Sequence, residues 1–256
     1  MEHGYKHLTH FIKPAVLPQE KQRILWCLMK ISISGRAIAA QGYARLLLST
    51  GASQFEMISS LVTQDVDWSK VTMFHLDEYV GLPETHNASF RKYLKERFAS
   101  KVNLKEAIYV NGEGDIKQNI AHITKRLREA PIDVAAIGIG ENGHIAFNDP
   151  PADFNTQESY IVVNLNDRCK RQQVGEGWFS TVADVPKQAI SMTVSQMMKS
   201  KCIVSVVPHG VKAEAVRNTL AQNVNNIVPA TILKFHSDWN LYLDKDSAKL
   251  FVVLPD

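Results

Sequence analysis

The chain has 256 residues, 45% of them hydrophobic, and a formal net charge of +3. That length can bury the core of one large domain, while the small charge, with no long Lys/Arg block, excludes a nucleic-acid-binding stripe or a membrane-surface helix. Cys27, Cys169 and Cys202 are far apart and lie outside any Cys-x-x-Cys pair, which excludes a disulfide framework or zinc ribbon and suits a reducing cytoplasm.

Residues 1–18 carry His3, His7, His10 and two prolines where a signal peptide would have an apolar stretch. The three histidines are read as part of a polar terminus and not as a metal site, and no metal ligand set is expected elsewhere. No apolar run reaches membrane-spanning length. Apolar runs at 45–49, 71–76, 132–139, 160–165, 202–207 and 250–253 predict buried strands. Helix-period segments at 55–62, 89–98, 116–127, 187–198 and 211–220 fall between many of them. Strands alternating with helices predict an α/β fold, a doubly wound and mostly parallel sheet flanked by helices in a single domain. There is no internal repeat or long Gly/Ser linker.

Chemistry is expected where strands end. After the first strand, Thr50, Gly51, Ala52 and Ser53 form a small-residue turn, and Ser53 with Glu56 three positions on has the spacing of a capping box. Exposed N–H groups and hydroxyls there would make an anion cradle. The second strand ends in Asp77 and Glu78 followed by Gly81, placing carboxylates at a sheet edge where ligands of open parallel sheets bind.

Gly138, Gly140 and Gly143 satisfy the G-x-G-x-x-G spacing, but Pro150 and Pro151 leave no room for the helix that a dinucleotide site requires, so no nicotinamide cofactor is predicted. Gly138 and Gly140 instead let backbone approach a ligand, and His144 with Asp149 five residues on is suited to proton exchange near neutral pH. Farther on, Lys212 falls in the first turn of a predicted helix, against the helix dipole, which is understandable if it faces a bound anion.

The segments at 74–83 and 138–150 together resemble the glucosamine-6-phosphate deaminase/isomerase family, within the glucosamine/galactosamine-6-phosphate isomerase superfamily. The resemblance runs from about residue 45 to 253, includes 185–190 and the turn bearing Lys212, and fades over the first thirty residues. Residues 1–30 are accordingly expected to be a divergent segment and 31–256 the sugar-phosphate domain. The resemblance implies a Rossmann-like fold, no cofactor in the chemistry and a small-molecule sugar phosphate as partner. It is compatible with a homo-oligomer.

By the same resemblance, Asp77 matches the base that moves a proton between C1 and C2 of the open-chain sugar, and His144 matches the group that passes a proton to the ring oxygen. Asp149 stands where the family usually has a glutamate supporting that histidine. Asn142 replaces an aspartate of classical deaminases; an amide has no charge to stabilise imidazolium, Glu141 is the nearest substitute, and restoring aspartate is expected to raise turnover. Thr50, Gly51, Ala52, Ser53 and Lys212 fall on the phosphate-binding loop and lysine, with Ala52 and Gln54 replacing the usual glycine and proline. Arg168 and Arg171 lie in the region of the phosphate-binding arginine, and Arg171 is assigned that role.

The implied reaction converts glucosamine 6-phosphate and water to fructose 6-phosphate and ammonia. Two alternatives differ in class: a 6-phosphogluconolactonase, whose glycine-histidine motif continues Thr-Ala-Ser where this chain has Ile145, Ala146 and Phe147, and a sugar-phosphate-binding regulatory protein with weakened catalysis.

Overall fold

The computed structural model describes residues 15–16 and 37–251. Its strands are β1 (Ala15–Val16), β2 (Ala44–Leu48), β3 (Val71–His75), β4 (Asp77–Tyr79), β5 (Glu106–Ile108), β6 (Val134–Ala136), β7 (Tyr160–Asn164), β8 (Gln188–Met192), β9 (Cys202–Val207) and β10 (Trp239–Leu243). Seven of them form one sheet in the order β1-β10-β9-β6-β2-β3-β5, with every neighbouring pair parallel. The chain builds outward from β2 through β3 to β5, then returns to the other side of β2 for β6, β9 and β10. The order therefore reverses between β2 and β6, a topological switch point of the kind that opens a crevice beyond the strands' C-terminal ends.

Helices α1 (Phe55–Leu61), α2 (Phe90–Leu94, prolonged by a π turn over Lys95–Ala99), α3 (Ile116–Leu127), α4 (Asp167–Gly175), α5 (Val194–Met197) and α6 (Ala213–Ala221) complete the parts that matter to the site. Alternation along the strands divides the core. Leu46, Leu48, Met73, Val134 and Val204 pack with Met57, Ile58 and Leu61 of α1, whereas Leu47, Phe74, Ala135, Ile203 and Leu241 pack with Ile123 and Leu127 of α3 and with Val216 of α6. Strand β2 is buried along its whole length, as a central parallel strand covered on both faces must be.

The predicted α/β, doubly wound sheet is present, with two corrections. The strand expected at 160–165 is β7, but it belongs to a separate three-stranded antiparallel sheet, β4-β8-β7. The helix expected over 187–198 is instead β8 followed by the short α5. Ile190, Val194 and Met197 imitate a helical stripe in sequence, but the ladder partners on both sides of β8 decide its conformation. Strands β4 and β5 are three residues long without an apolar run of their own, and they lie outside the predicted strands, as do β1 and β10. Of the strand expected at 250–253, residues 250 and 251 are not extended in a sheet, and the remainder lies outside the described residues, as do His3, His7, His10 and Cys27. Among the described residues no helix is long and apolar enough to cross a membrane.

Candidate active site

The two adjacent acids at the end of β3 separate completely, because successive residues of β4 face opposite ways. Glu78 turns inward and is fully buried, accepting hydrogen bonds from the backbone N–H groups of Phe90 and Arg91, the Ser89 hydroxyl and Arg91 Nε. It anchors the start of α2. Asp77 faces a cavity at the switch point, 6% exposed, and receives no hydrogen bond from the described residues. Burial, reinforced by the negative charge of Glu78, pushes its carboxyl up to about 8.

The same cavity is lined by Thr50, Gly51 and Ser53 after β2, by Gly138, Gly140 and His144 after β6, and by Lys212 after β9. It draws on several separate stretches of sequence, and of the residues singled out in the sequence it gathers these together with Asp77. Gly51 has φ 103°, a conformation that favours glycine and turns the chain away from β2. The capping box expected at Ser53 does not form: the residues from Ala52 to Gln54 make a 3-10 turn, and Ser53 Oγ accepts from Gln54 Nε2 at 3.0 Å. Gln54 also donates to the Val206 carbonyl at 3.1 Å, tying the turn to β9. Ala52 lies in the turn but does not itself line the cavity.

The imidazole of His144 is held from behind. Asn142 Oδ1 accepts from the His144 backbone N–H at 3.1 Å and lies 2.6 Å from the ring Nδ1; since that oxygen can only accept, Nδ1 carries the proton. Asp149 Oδ1 is 3.2 Å from the same nitrogen and accepts from Asn142 Nδ2 at 3.0 Å. Nε2 is left outside these contacts, on the ring edge that lies against Gly140. Burial alone would raise the Asp149 carboxyl, but hydrogen bonds from His144 and Asn142 and the attraction of His144 hold it below its ordinary value.

Asn142 is thus an active part of the assembly, fixing both the tautomer of His144 and the carboxylate of Asp149. This reverses the sequence-based expectation for Asn142→Asp. A carboxylate at 142 would lose the donor to Asp149 and place two acids in contact, so kcat/KM should fall about tenfold, the cost of one hydrogen bond to a charged group. A rise in steady-state turnover of the variant would contradict this account.

Four other expectations are corrected or qualified. Glu141 does not line the cavity; its field reaches Lys212 only from beyond the wall. Asn142 and Asp149 also stand behind the wall, supporting His144. Arg171 is outside the site: it points to solvent, 72% exposed, with Asp167 one helical turn away at 4.0 Å. The inward face of α4 carries Gln172 and Gln173, with Glu176 just beyond the helix, and these three residues line the cavity. Their spacing from the buried Cys169 is a polar stripe on the helix's core side, a signal that charge alone obscures. Gln173 Oε1 accepts from the Tyr79 hydroxyl at 2.7 Å, so its NH₂ is the end left for a ligand. His75, one residue before the end of the strand run, is fully buried with no partner on either ring nitrogen; burial, aided by the charge of Arg91, lowers it to about 3, and it stays neutral.

Residues 30–241 match the family described as Glucosamine-6-phosphate isomerases/6-phosphogluconolactonase. The chain belongs to this family. Within the glucosamine-6-phosphate isomerase/6-phosphogluconolactonase family it is 35% identical over 211 residues to the glucosamine-6-phosphate deaminase of Oenococcus oeni, covering 82% of this chain and 88% of that one. It is 34% identical over 221 residues to the deaminase of Listeria monocytogenes serotype 4a, covering 86% and 93%. Among solved structures, a monomeric glucosamine-6-phosphate deaminase superimposes with a TM-score of 0.82 at 27% identity, covering 93% of this chain and 98% of that one. The 6-phosphogluconolactonase of Thermotoga maritima superimposes at 0.73 with 14% identity over 90% and 97%, a likeness of fold alone.

Proposed function

We propose that this chain is an amino-sugar phosphate deaminase/isomerase that converts glucosamine 6-phosphate and water to fructose 6-phosphate and ammonia. The observation that carries the reading is the placement of Asp77 and His144 on one cavity that Thr50, Gly51, Ser53 and Lys212 also line. In this reading Nε2 of His144 exchanges a proton with the ring oxygen as the pyranose opens. The carboxylate of Asp77 then takes a proton from C2 and returns it to C1 through an enediol-type or enolamine intermediate. A base that acts at two neighbouring carbons is best served by a rigid position, and Asp77 sits within a paired strand.

Lys212 and the turn are assigned the phosphate. Lys212 is 4% exposed, and burial lowers its ammonium while Glu176 and Glu141 act in the opposite direction; a bound anion would compensate its desolvation. A cytoplasmic location suits a chain in which neither Cys169 nor Cys202 forms a disulfide.

Incubation with glucosamine 6-phosphate should release ammonia and ketose in equal amounts. Hydrolysis of 6-phosphogluconolactone without ammonia release from the amino sugar would instead make the protein a lactonase, and binding of the sugar phosphate without turnover would make it a binding protein.

A further inference from the structure

The cavity is lined by an acid as well as a lysine. Glu176 lines the wall beside the turn after β2, and a Cβ placed on Gly51 would lie 4.0 Å from its Oε2, so the carboxylate borders the space over that turn. It is built in. Gln172 Nε2 donates to its Oε1 at 2.8 Å and Trp178 Nε1 donates to its Oε2 at 3.0 Å. Trp178 packs edge-on against Phe55 and Tyr93, and the Tyr93 hydroxyl donates to the Gly51 carbonyl at 3.1 Å. The acid and the turn therefore belong to one frame.

A carboxylate only accepts hydrogen bonds, and it repels a fully ionised anion. A phosphate monoester can satisfy Lys212, the turn and Glu176 together in one protonation state, the monoanion, whose P–OH donates to the carboxylate. We propose that Glu176 selects the singly protonated form of the terminal phosphate and excludes groups that have negative charge but no proton. This rests on the reading above that the turn and Lys212 receive a phosphate.

Several groups face Glu176 from the elements around it: Lys212 from the turn after β9, Tyr93 from α2 with Arg97 stacked over the rings of Phe55 and Tyr93, Tyr79 from β4 and Cys169 from α4. Burial pushes the two phenols and the thiol up, away from neutral pH. Glu141, which does not line the cavity, also acts on Lys212, and Asp77 and His144 line the same cavity. A ligand that does not titrate separates all of these from the phosphate's own proton.

The test is calorimetric binding of glucitol 6-phosphate, which has no amine and cannot isomerise, to the full chain between pH 5.5 and 8, with glucitol 6-sulfate as the proton-free comparison. Wild-type Kd for the phosphate should rise about tenfold for each pH unit above the second phosphate pKa near 6, and the sulfate should bind weakly throughout. In Glu176→Gln, whose amide can donate, the phosphate Kd should stay level or tighten with pH and the sulfate should gain about tenfold or more. Wild-type affinity that increases with pH, or equal binding of sulfate and phosphate at pH 7.5, would overturn the proposal, and these wild-type measurements decide it even if the variant does not fold. If neither anion binds while unphosphorylated glucosamine does, the phosphate assignment itself fails.

Discussion

Asp77→Asn is expected to lower kcat by about a thousandfold, within the ordinary range for removing a general acid or base, while barely changing the binding of a sugar phosphate. The amide keeps the size of the carboxyl but cannot take a proton from C2. In the parent enzyme the base must be ionised before it acts, so kcat at saturating substrate should fall about tenfold per pH unit below the value of about 8 to which burial and Glu78 push it. The same substitution should change stability in the opposite direction. A carboxyl whose folded pKa lies above its unfolded value favours folding fully at pH below about 4 and loses that contribution as pH rises through about 8. Above that point the native state contains an unpaired buried charge, which the asparagine lacks. Asp77→Asn should therefore melt at higher temperature than the parent at pH 8.5 to 9, by an amount corresponding to a few kcal/mol at most, and the advantage should vanish near pH 4. Full turnover in the variant would remove Asp77 from the chemistry; an unchanged melting difference across that pH range would show that its carboxyl is not raised.

Gly140→Ala should silence the site from the other side. A Cβ at 140 would lie 2.2 Å from Cε1 and Nε2 of His144 and 2.5 Å from Cδ2, closer than carbon approaches any ring atom, and the glycine's own φ is not in the left-handed region, so the conflict is with the imidazole and not with the backbone. The ring is held on its far edge by Asn142 and Asp149 and would have to leave them to make room. Displacement of a catalytic group by about an ångström costs on the order of a hundredfold in rate. The expected result is a drop of that size or more in kcat, with phosphate affinity and circular dichroism retained. Turnover near the parent level would mean that the imidazole need not rest over Gly140 to work.

The parts of the site that were legible in sequence are those that a strand end announces. The runs leading into Thr50, Asp77, Gly138 and Lys212 are buried β2, β3, β6 and β9, and parallel strands release their ligand-binding turns at one edge. Two things were hidden. The division of labour between Asp77 and Glu78 depends on β4, a three-residue strand with no hydrophobic pattern of its own, specified by its antiparallel partner β8. The second wall comes from α4, where the family resemblance points to the arginines at 168 and 171, although the helix rotation set by buried Cys169 and Gln173 presents Gln172 and Glu176 to the cavity. A short sequence window cannot report the rotation of a polar helix whose core-facing stripe is itself polar. The role of Asn142 was hidden for a related reason: as a departure from the family pattern it reads as a loss, yet its amide accepts from His144 and at the same time donates to Asp149, a donation that a carboxylate could not make.

Asp77 lies directly opposite Ser191 in the β4–β8 ladder, and Ser191 Oγ accepts from the backbone N–H of Phe147 and from Asn148 Nδ2, in the segment that follows His144. The spacing between Asp77 and His144 is thus gauged by backbone pairing, the Ser191 hydroxyl and the bond from Asn148 Nδ2 to the Met192 carbonyl. Loop length is therefore free to vary around a fixed separation of Asp77 and His144, whereas inserting one residue inside β4 or β8 would shift the register and break that separation.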